Sequence, residues 1–318
     1  MLRQKDLSLR AIGVSFVLLV AMTGCDKDDD NMVAERTITE TVVANDDFSV
    51  LESAVIKANL QATLSSDGPF TVFAPDNAAF TASGISPAVL GSLSPQQVEN
   101  ILLYHALSGK VLAANVPAGP NEKVITANGD SVFVTRNSSG VFVNGIRVEQ
   151  ADINASNGVI HRIEKVLMPA GGDLVATVQT AGLGLDSLVK AVLRASNGAG
   201  GDPSLITALQ TGRLTVFAPV NAAFTQLLQA LGLNDINEVP VPTLVAVLKY
   251  HVVPGRAFSP DLANGSLAML AGGSTTISIS GTPSISGSGN AGLKANITNT
   301  NIMARNGVVH IIDRVLLP

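Results

Sequence analysis

Three blocks of sequence occur twice along this 318-residue chain, in the same order and at nearly equal spacing. Such a repeat constrains the fold strongly, because each copy must then adopt the same structure. Both tyrosines and all four histidines fall at matched positions of the repeat. The paired blocks are residues 70–80 and 214–224, 102–105 and 248–251, and 157–169 and 306–318.

The length of the repeat indicates two globular domains in tandem. Each copy has roughly 130 to 145 residues, which is too long for a solenoid unit and suits an independent domain. Hydrophobic residues make up 46% of the chain and charged residues 14%, a composition typical of folded proteins. We therefore predict one domain over residues 41–170 and a second over 173–318, with the junction near Ala170.

Local patterns predict that helices come first in each copy and strands last. Residues 71–73 form a β-prone run that Pro75 ends, and Asp76 or Asn77 can cap a following helix. In the second copy Val220 replaces Asp76, so capping there is expected from Asn221. The fold class expected from this order is α+β.

The middle of each copy carries further signals. Residues 95–107 have helical spacing with Ser94 as N-cap and Gly109 as a stop, and 241–253 form the corresponding apolar helix. Residues 131–134 and 141–143 alternate like strands, and Asn144-Gly145 predicts a two-residue hairpin turn. The stretch from Gly272 to Gly292 suits twisted strands whose register is weakly specified.

The first 24 residues have the pattern of a secretory signal. Arg3, Lys5 and Arg10 precede an apolar run over residues 11–22. This run is short for a membrane span, which needs about 20 apolar residues, and long enough for a signal peptide, which needs about 7 to 15. We expect residues 1–24 to be a lipoprotein-type signal peptide.

Residues 21–25 resemble a bacterial lipobox that ends at Cys25, the only cysteine. Lipidation of Cys25 is favoured over the alternative of a buried thiol, and would anchor the protein to a bilayer. Residues 25–40 are polar and acidic and predict a flexible tether. The acidic cluster resembles a surface-export signal of Gram-negative lipoproteins, which indicates the outer face of the outer membrane. The alternative is retention on the periplasmic side, because an Asp after the cysteine retains some lipoproteins at the inner membrane.

The repeated blocks resemble the signatures of the fasciclin domain. The first signature matches residues 71–75 with Ala79-Phe80, the central pair matches Tyr104-His105, and the closing signature matches residues 157–169; the second copy matches all three. The resemblance implies a bent β-sheet wedge flanked by a helical layer, and adhesion between cells or to matrix. Two departures, Glu164 in place of the usual Asp and Val220 at the capping position, leave this fold assignment unchanged.

His105, His161, His251 and His310 lie in apolar segments, where a neutral imidazole can hydrogen-bond to the backbone and hold a helix to a strand. We predict this structural role for all four. A zinc site needs three or four ligands, and two histidines per domain with no available thiol fall short of this number unless Asp or Glu completes the set, so we expect no metal. No nucleophile elbow, paired carboxylates or phosphate-binding loop is evident, so we expect neither an enzyme nor a cofactor.

The resemblance points to Tyr104, His105, Tyr250 and His251 as candidate interaction residues, although packing in the core is the favoured alternative. A protein or glycan on another cell or in a matrix is the expected partner. Charge-poor strand edges within residues 274–288 could add to a partner's sheet, although a simple exposed rim is the favoured alternative. A small hydrophobic ligand held between sheet and helices is the alternative function. A net charge of −5 without a basic run makes nucleic acid a poor candidate partner.

Overall fold

The computed structural model describes residues 35–180 and 182–318. The predicted signal peptide, Cys25 and residues 26–34 of the predicted tether lie outside the described residues. No helix among the described residues has the length and apolar character needed to cross a membrane.

The first copy begins with a group of helices interrupted by one strand and continues as a sheet. Its helices are α1 (Ile38–Val43), α2 (Ser49–Lys57), α3 (Gln61–Leu64), α4 (Asn77–Ala82), α5 (Pro87–Ser92) and α6 (Pro95–Tyr104). Its strands are β1 (Phe70–Pro75), β2 (Ala106–Ser108), β3 (Gly119–Ile125), β4 (Ser131–Asn137), β5 (Gly140–Val143), β6 (Ile146–Ala155) and β7 (Gly158–Ile163).

The second copy repeats this order with one helix fewer among the described residues. Its helices are α7 (Leu174–Thr180), α8 (Asp186–Asn197), α9 (Pro203–Thr211), α10 (Asn221–Leu231) and α11 (Val241–Lys249). Its strands are β8 (Leu214–Pro219), β9 (Val252–Pro254), β10 (Gly265–Ala268), β11 (Ser274–Ser278), β12 (Ser284–Ser286), β13 (Ala295–Ala304) and β14 (Gly307–Ile312).

Each copy forms a seven-stranded sheet with the same topology. The order is β2-β1-β7-β6-β5-β4-β3 in the first copy, and the second copy matches it strand for strand as β9-β8-β14-β13-β12-β11-β10. The pairs β1/β7 and β8/β14 are parallel, and the other neighbours are antiparallel. The predicted α+β class, with two like domains in tandem, is confirmed.

Successive residues of the first strand serve two cores, because side chains alternate across a strand. Val72 packs with the helices of its domain, whereas Phe73 packs inside the bent sheet with Tyr104 and Leu167. Val216 and Phe217 divide in the same way in the second copy. Each domain is therefore a wedge-shaped sheet that encloses one hydrophobic core and packs a second core against a layer of helices.

The two helices that follow the first strand of each copy start differently. Asp76 caps α4 by accepting a hydrogen bond from the N–H of Ala79 at 2.7 Å. Val220 gives α10 no side-chain cap, and the expectation that Asn221 supplies one is wrong. The Oδ1 of Asn221 instead accepts from the N–H of Ser187 in the first turn of α8, as the Oδ1 of Asn77 accepts from Val50 in α2.

Helices α6 and α11 end earlier than their apolar patterns predict. Helix α6 ends at Tyr104 and not at residue 107, and α11 ends at Lys249 and not at residue 253. The next residues form β2 and β9, which pair with β1 and β8. Pairing with the sheet satisfies their backbone groups, and this outweighs continuation of the helix.

The first domain starts before the expected boundary at residue 41. Helix α1 has a capping box formed by Thr37 and Glu40, and it buries Ile38 and Val42 against the core. The end of the predicted tether therefore belongs to the folded domain. The Asn144-Gly145 turn between β5 and β6 is present as predicted, with positive φ angles of 49° and 74°.

Candidate functional site

Tyr104 and His105 lie where α6 meets the sheet, and both side chains are buried. The hydroxyl of Tyr104 donates to the carbonyl of Ser131 at 3.0 Å and accepts from the Nδ2 of Asn144 at 2.9 Å. Burial raises the pKa of Tyr104 to about 12. Its polar tip thus ties the helix end to β4 and to the hairpin turn.

The His105 ring uses both nitrogens inside the domain. Its Nδ1 is 2.7 Å from the carbonyl oxygen of Ile101, and its Nε2 is 2.9 Å from the backbone nitrogen of Leu167. A carbonyl can only accept and an N–H can only donate, so the ring is a neutral tautomer that carries its proton on Nδ1. Burial lowers the pKa of His105 to about 4.

The second copy repeats this arrangement closely. The Nδ1 of His251 is 2.7 Å from the carbonyl of Val247, and its Nε2 accepts from the N–H of Leu316 at 2.9 Å. Tyr250 donates to the carbonyl of Ser274 at 2.6 Å. Burial lowers the pKa of His251 to about 4. The Tyr-His pairs of the two domains thus form the same hydrogen-bond pattern.

His161 and His310, on β7 and β14, carry the opposite tautomer. The Nε2 of His161 donates to the carbonyl of Val111 at 2.9 Å, and that of His310 donates to Ala257 at 2.9 Å. Each ring packs against a phenylalanine of the neighbouring strand, with centroid distances of 5.7 Å and 5.4 Å. Burial lowers the pKa of both groups, and that of His310 falls to about 4.

These geometries bear on the candidate interaction residues. Tyr104, His105, Tyr250 and His251 are each at most 2% exposed, so they present almost no surface to a partner. Side chains that are buried to this extent cannot contact a partner directly. A substitution at these positions can change binding only by changing the stability or shape of the domain. Within residues 35–180 and 182–318, no three His, Cys, Asp or Glu side chains group in a way that could hold a metal ion.

One asparagine in each closing block, buried in the first copy and half-buried in the second, was not singled out from the sequence. The Oδ1 of Asn157 accepts from the N–H of Ile38 at 2.9 Å, and its Nδ2 donates to the carbonyls of Leu64 and Ser66 at 2.9 Å each. Asn306 bonds in the same way to Leu174 and to two carbonyls around the end of α9. The repeated Asn-Gly pair was the available signal.

An apolar pocket lies beneath the N-terminal helices of each domain. In the first domain it measures about 190 Å³ and is lined by Val42, Val55 and Leu102, with His105 at its wall. The corresponding pocket of the second domain, beside His251, measures about 40 Å³. An apolar cavity of about 150 Å³ can take up a molecule such as benzene, so only the first pocket has room for a small ligand.

The two domains are joined by polar and aromatic contacts. The Nδ2 of Asn121 on β3 donates to the Oδ2 of Asp261 at 3.0 Å and to the carbonyl of Arg256 at 2.8 Å. The guanidinium carbon of Arg256 lies 3.9 Å from the ring centroid of Phe133, and the ring of Phe258 is 6.2 Å from Phe133. Burial raises the pKa of Asp261.

Contacts at the hairpin turn complete this junction. The Nδ2 of Asn301 donates to the carbonyl of Gly145 at 3.1 Å. A Cβ at Gly145 would lie 2.5 Å from the Asn301 side chain, and the φ of 74° also favours glycine here. The turn that identifies the first domain's hairpin is therefore also a contact with the second domain.

Comparison with known proteins places these features in a family. A sequence model described as "Fasciclin domain" matches residues 46–169 and 193–318. Protein sll1483 of Synechocystis is 41% identical over 135 residues, which cover 42% of this chain and 73% of that protein. Human periostin is 26% identical over 286 residues, covering 89% of this chain and 31% of periostin.

Two further similarities extend over most of the chain. Pig transforming growth factor-beta-induced protein ig-h3 is 30% identical over 263 residues, covering 81% of this chain and 36% of that protein. The chain thus spans about a third of the length of periostin and of ig-h3. A solved pair of FAS1 domains from the insect cell adhesion molecule fasciclin I covers 88% of this chain and 96% of its own, at 17% identity and a TM-score of 0.40. The matched blocks extend over more than half of the chain, which therefore belongs to the fasciclin domain family.

Proposed function

We propose that this chain is an adhesion protein whose two fasciclin domains bind a protein or glycan on another cell or in a matrix. The observation that carries the proposal is that the imidazoles form hydrogen bonds only within their own domain among the described residues. All four histidine rings are buried and bonded to backbone groups of their own domain. The four imidazoles, which are the side chains best suited to acid-base chemistry, are thus used to stabilise the fold. Recognition of a partner then depends on the exposed surface of the two domains.

The two-domain arrangement supports adhesion by weak contacts. Contacts around Asn121 and Phe133 join the domains, so both present their surfaces together. Linked sites raise apparent affinity by about 100 to 10,000-fold when both engage the same target. Membership of the family adds support, since fasciclin I is described as a cell adhesion molecule.

The proposal includes attachment to a bacterial outer membrane through a lipid on Cys25, with the domains facing outward. The support is the lipobox-like residues 21–25 and the acidic residues after them. Several acyl chains, each contributing about 0.8 kcal/mol per buried methylene, hold a protein stably on a bilayer. The folded domains begin at about residue 37, which leaves roughly a dozen residues between lipid and domain.

Adhesion is tested with beads that carry the full chain in a lipid coat. The beads are added to surfaces coated with matrix protein or with polysaccharide, and protease or glycosidase treatment of the surface identifies the partner class. We expect retention to rise more steeply than in proportion to the density of the chain, because two linked sites act together. Retention no greater than for beads carrying heat-denatured chain, on every surface, would contradict the proposal.

A second candidate function is the binding of a small hydrophobic ligand, favoured by the pocket of about 190 Å³ in the first domain. The probe is benzene, which a pocket of this size can hold, and ligand-observed NMR measures its binding. Thr39→Phe places a ring in this pocket and should weaken binding at least tenfold. Val175→Phe at the matched position beside the smaller pocket is the control and should leave binding unchanged. Equal binding by both variants would remove this candidate.

A further inference from the structure

Three arginines of the second domain gather at one end of its sheet because of the strand topology. Arg213 directly precedes β8, Arg256 follows β9 by two residues, and Arg305 follows β13. Strands β8 and β14 run parallel, so their starts lie at the same end, and the antiparallel β9 and β13 finish there. The N–H of Gly255 donates to the carbonyl of Arg213 at 2.8 Å, and Arg256 donates to the carbonyl of Arg305 at 2.8 Å.

The first domain supplies a fourth cation to the same place. Lys123 of β3 joins the three arginines in lining a cleft of about 660 Å³ between the domains. Asp130 is the one carboxylate among the described residues that line this cleft. Among the described residues, none of the four basic side chains forms an ion pair with a carboxylate. Within residues 35–180 and 182–318, the lining of the cleft therefore carries an excess of positive charge.

Arg256 lies in an environment that is unfavourable for its positive charge. It lies partly buried over the Phe133 ring, and its Nε is buried without a hydrogen-bond partner in the described structure. Burial and the nearby charge of Arg213 lower the pKa of Arg256 to about 10. A cation held next to the like charge of Arg213 would be stabilised by an anion in the cleft.

Comparison of the two copies indicates that the fold does not need two of these three charges. The positions that match Arg213, Arg256 and Arg305 in the first copy carry Pro69, Lys110 and Ser156. The backbone bond of Gly255 to Arg213 recurs as Gly109 to Pro69, so the shared architecture is unaffected. Two of the three arginines are thus specific to the end of the sheet that faces the cleft.

We propose that the cleft between the domains binds an acidic glycan through Lys123, Arg213, Arg256 and Arg305. Its volume falls within the range of about 300 to 1,000 Å³ common for ligand sites. Besides the cations, the hydroxyl groups of Ser131 and Thr211 line it, and these suit a hydroxyl-rich ligand. Carboxylate and sulfate groups are the acidic groups that glycans offer. The inference rests on the proposed adhesive function and names the class of partner.

The test measures binding of the full chain, in detergent, to oligogalacturonate, dextran sulfate, uncharged dextran and polyglutamate. Arg213→Gln/Arg305→Gln removes two exposed cations from the cleft. Lys190→Gln/Lys294→Gln removes the same charge from exposed sites outside the cleft and is the matched control. The two acidic glycans distinguish carboxylate from sulfate recognition, and polyglutamate represents an acidic peptide.

We expect at least one acidic glycan to bind, with affinity that falls as salt rises, and uncharged dextran not to bind. The cleft variant should weaken binding about tenfold, and the control variant less than twofold. No binding to either acidic glycan, equal loss in both variants, or stronger binding to polyglutamate than to the glycans would overturn the inference.

The same variants separate this inference from the proposed function. Beads that carry Arg213→Gln/Arg305→Gln should lose retention on acidic polysaccharide if the cleft is the adhesive site. If these beads adhere as well as unmodified beads, the cleft inference fails while adhesion stands. If no beads adhere but the purified chain still binds acidic glycan through the cleft, the adhesive function fails and the site stands.

Discussion

The Nε2 of His105 accepts a hydrogen bond from the backbone N–H of Leu167 at 2.9 Å, although 62 residues separate them in the sequence. The bond joins the end of α6 to the segment that closes the first domain. His251 and Leu316 form the same bond at 2.9 Å in the second domain. In each case the other ring nitrogen bonds to a carbonyl of the preceding helix, so the imidazole bridges two parts of the fold.

Replacement of this bridge should destabilise the first domain. His105→Leu leaves the N–H of Leu167 buried without a partner and removes the bond to Ile101. Each unsatisfied buried group costs about 1 to 3 kcal/mol, so we expect the free energy of unfolding to fall by about 2 to 4 kcal/mol. Urea denaturation measures the change. Gln96→Ala, on the exposed face of the same helix, is the control and should change it by less than about 0.5 kcal/mol. A loss in His105→Leu as small as in the control would contradict the bridging role.

The buried histidines also predict how stability depends on pH. Burial lowers the pKa values of His105, His251 and His310 to about 4, whereas an unfolded histidine has a pKa of about 6.5. Between these values the unfolded chain binds more protons, so stability falls as the pH drops from 6.5 towards 4. We expect a loss of roughly 1 to 2 kcal/mol per histidine at pH 5, seen as lower urea midpoints than at pH 7.5.

Nitrogen-15 NMR of the imidazoles checks the cause of this pH dependence. The rings of His105, His251 and His310 should remain neutral in the folded protein at pH 5.5. His105 and His251 should carry the proton on Nδ1, and His161 and His310 on Nε2, as their hydrogen bonds require. Urea midpoints that do not change from pH 7.5 to 5, or rings that are protonated in the folded state, would show that burial does not suppress their charge.

Much of each domain could be predicted from its sequence because the relevant signals are local. Pro75, the Ser94 cap and the Asn144-Gly145 turn act on neighbouring residues, and the structure has the strand end, the helix start and the hairpin where they indicate. The helix ends at Tyr104 and Lys249 could not be read in this way. The residues after them continue an apolar pattern, and pairing with a distant strand decides their conformation.

The candidate sites are formed by residues that are far apart in the sequence, so no local sequence pattern predicts their contacts. The partners of the histidine rings are backbone groups from distant segments, which look alike at every position of a sequence. The basic cleft could not be predicted from the sequence for a similar reason. Arg213, Arg256 and Arg305 are separated by more than 40 residues each, and a net charge of −5 gives no sign of a local positive cluster. Only the strand order brings them together.

Asn157 should be more important for stability than its small size indicates. Asn157→Asp keeps an acceptor for the N–H of Ile38 but loses both donors, and it places a carboxylate against the carbonyls of Leu64 and Ser66. We expect a loss of about 2 to 4 kcal/mol in urea denaturation at pH 7.5. Asn154→Asp, at an exposed position of β6, makes the same chemical change and should cost less than about 1 kcal/mol. Equal losses in the two variants would assign the effect to charge alone.

Lipidation of Cys25 predicts where the protein is found. Cys25→Ala should move the chain from the membrane fraction to the soluble fraction, because no acyl chain then holds it on the bilayer. Immunoblots of fractionated cells measure this, and protease added to intact cells tests whether the domains of the unmodified chain face outward. Asp28→Ala keeps the cysteine and is the control. Unchanged membrane association of Cys25→Ala would rule out the anchor, and protection from protease would favour the periplasmic alternative.

Phe133 should determine how firmly the two domains are coupled. Its ring lies under the guanidinium of Arg256 and against Phe258, both from the second domain. Phe133→Ala removes both contacts, and the polar contacts of Asn121 with Asp261 then remain as the nearby link. Because polar contacts with partial access to water contribute little, we expect the domains to separate more readily. We expect calorimetry to resolve two unfolding transitions for Phe133→Ala and one for the unmodified chain, and X-ray scattering to give a larger radius of gyration for the variant. Ser139→Ala, an exposed change in the hairpin between β4 and β5, should alter neither. A single transition and an unchanged radius in Phe133→Ala would mean that the polar contacts alone hold the domains together.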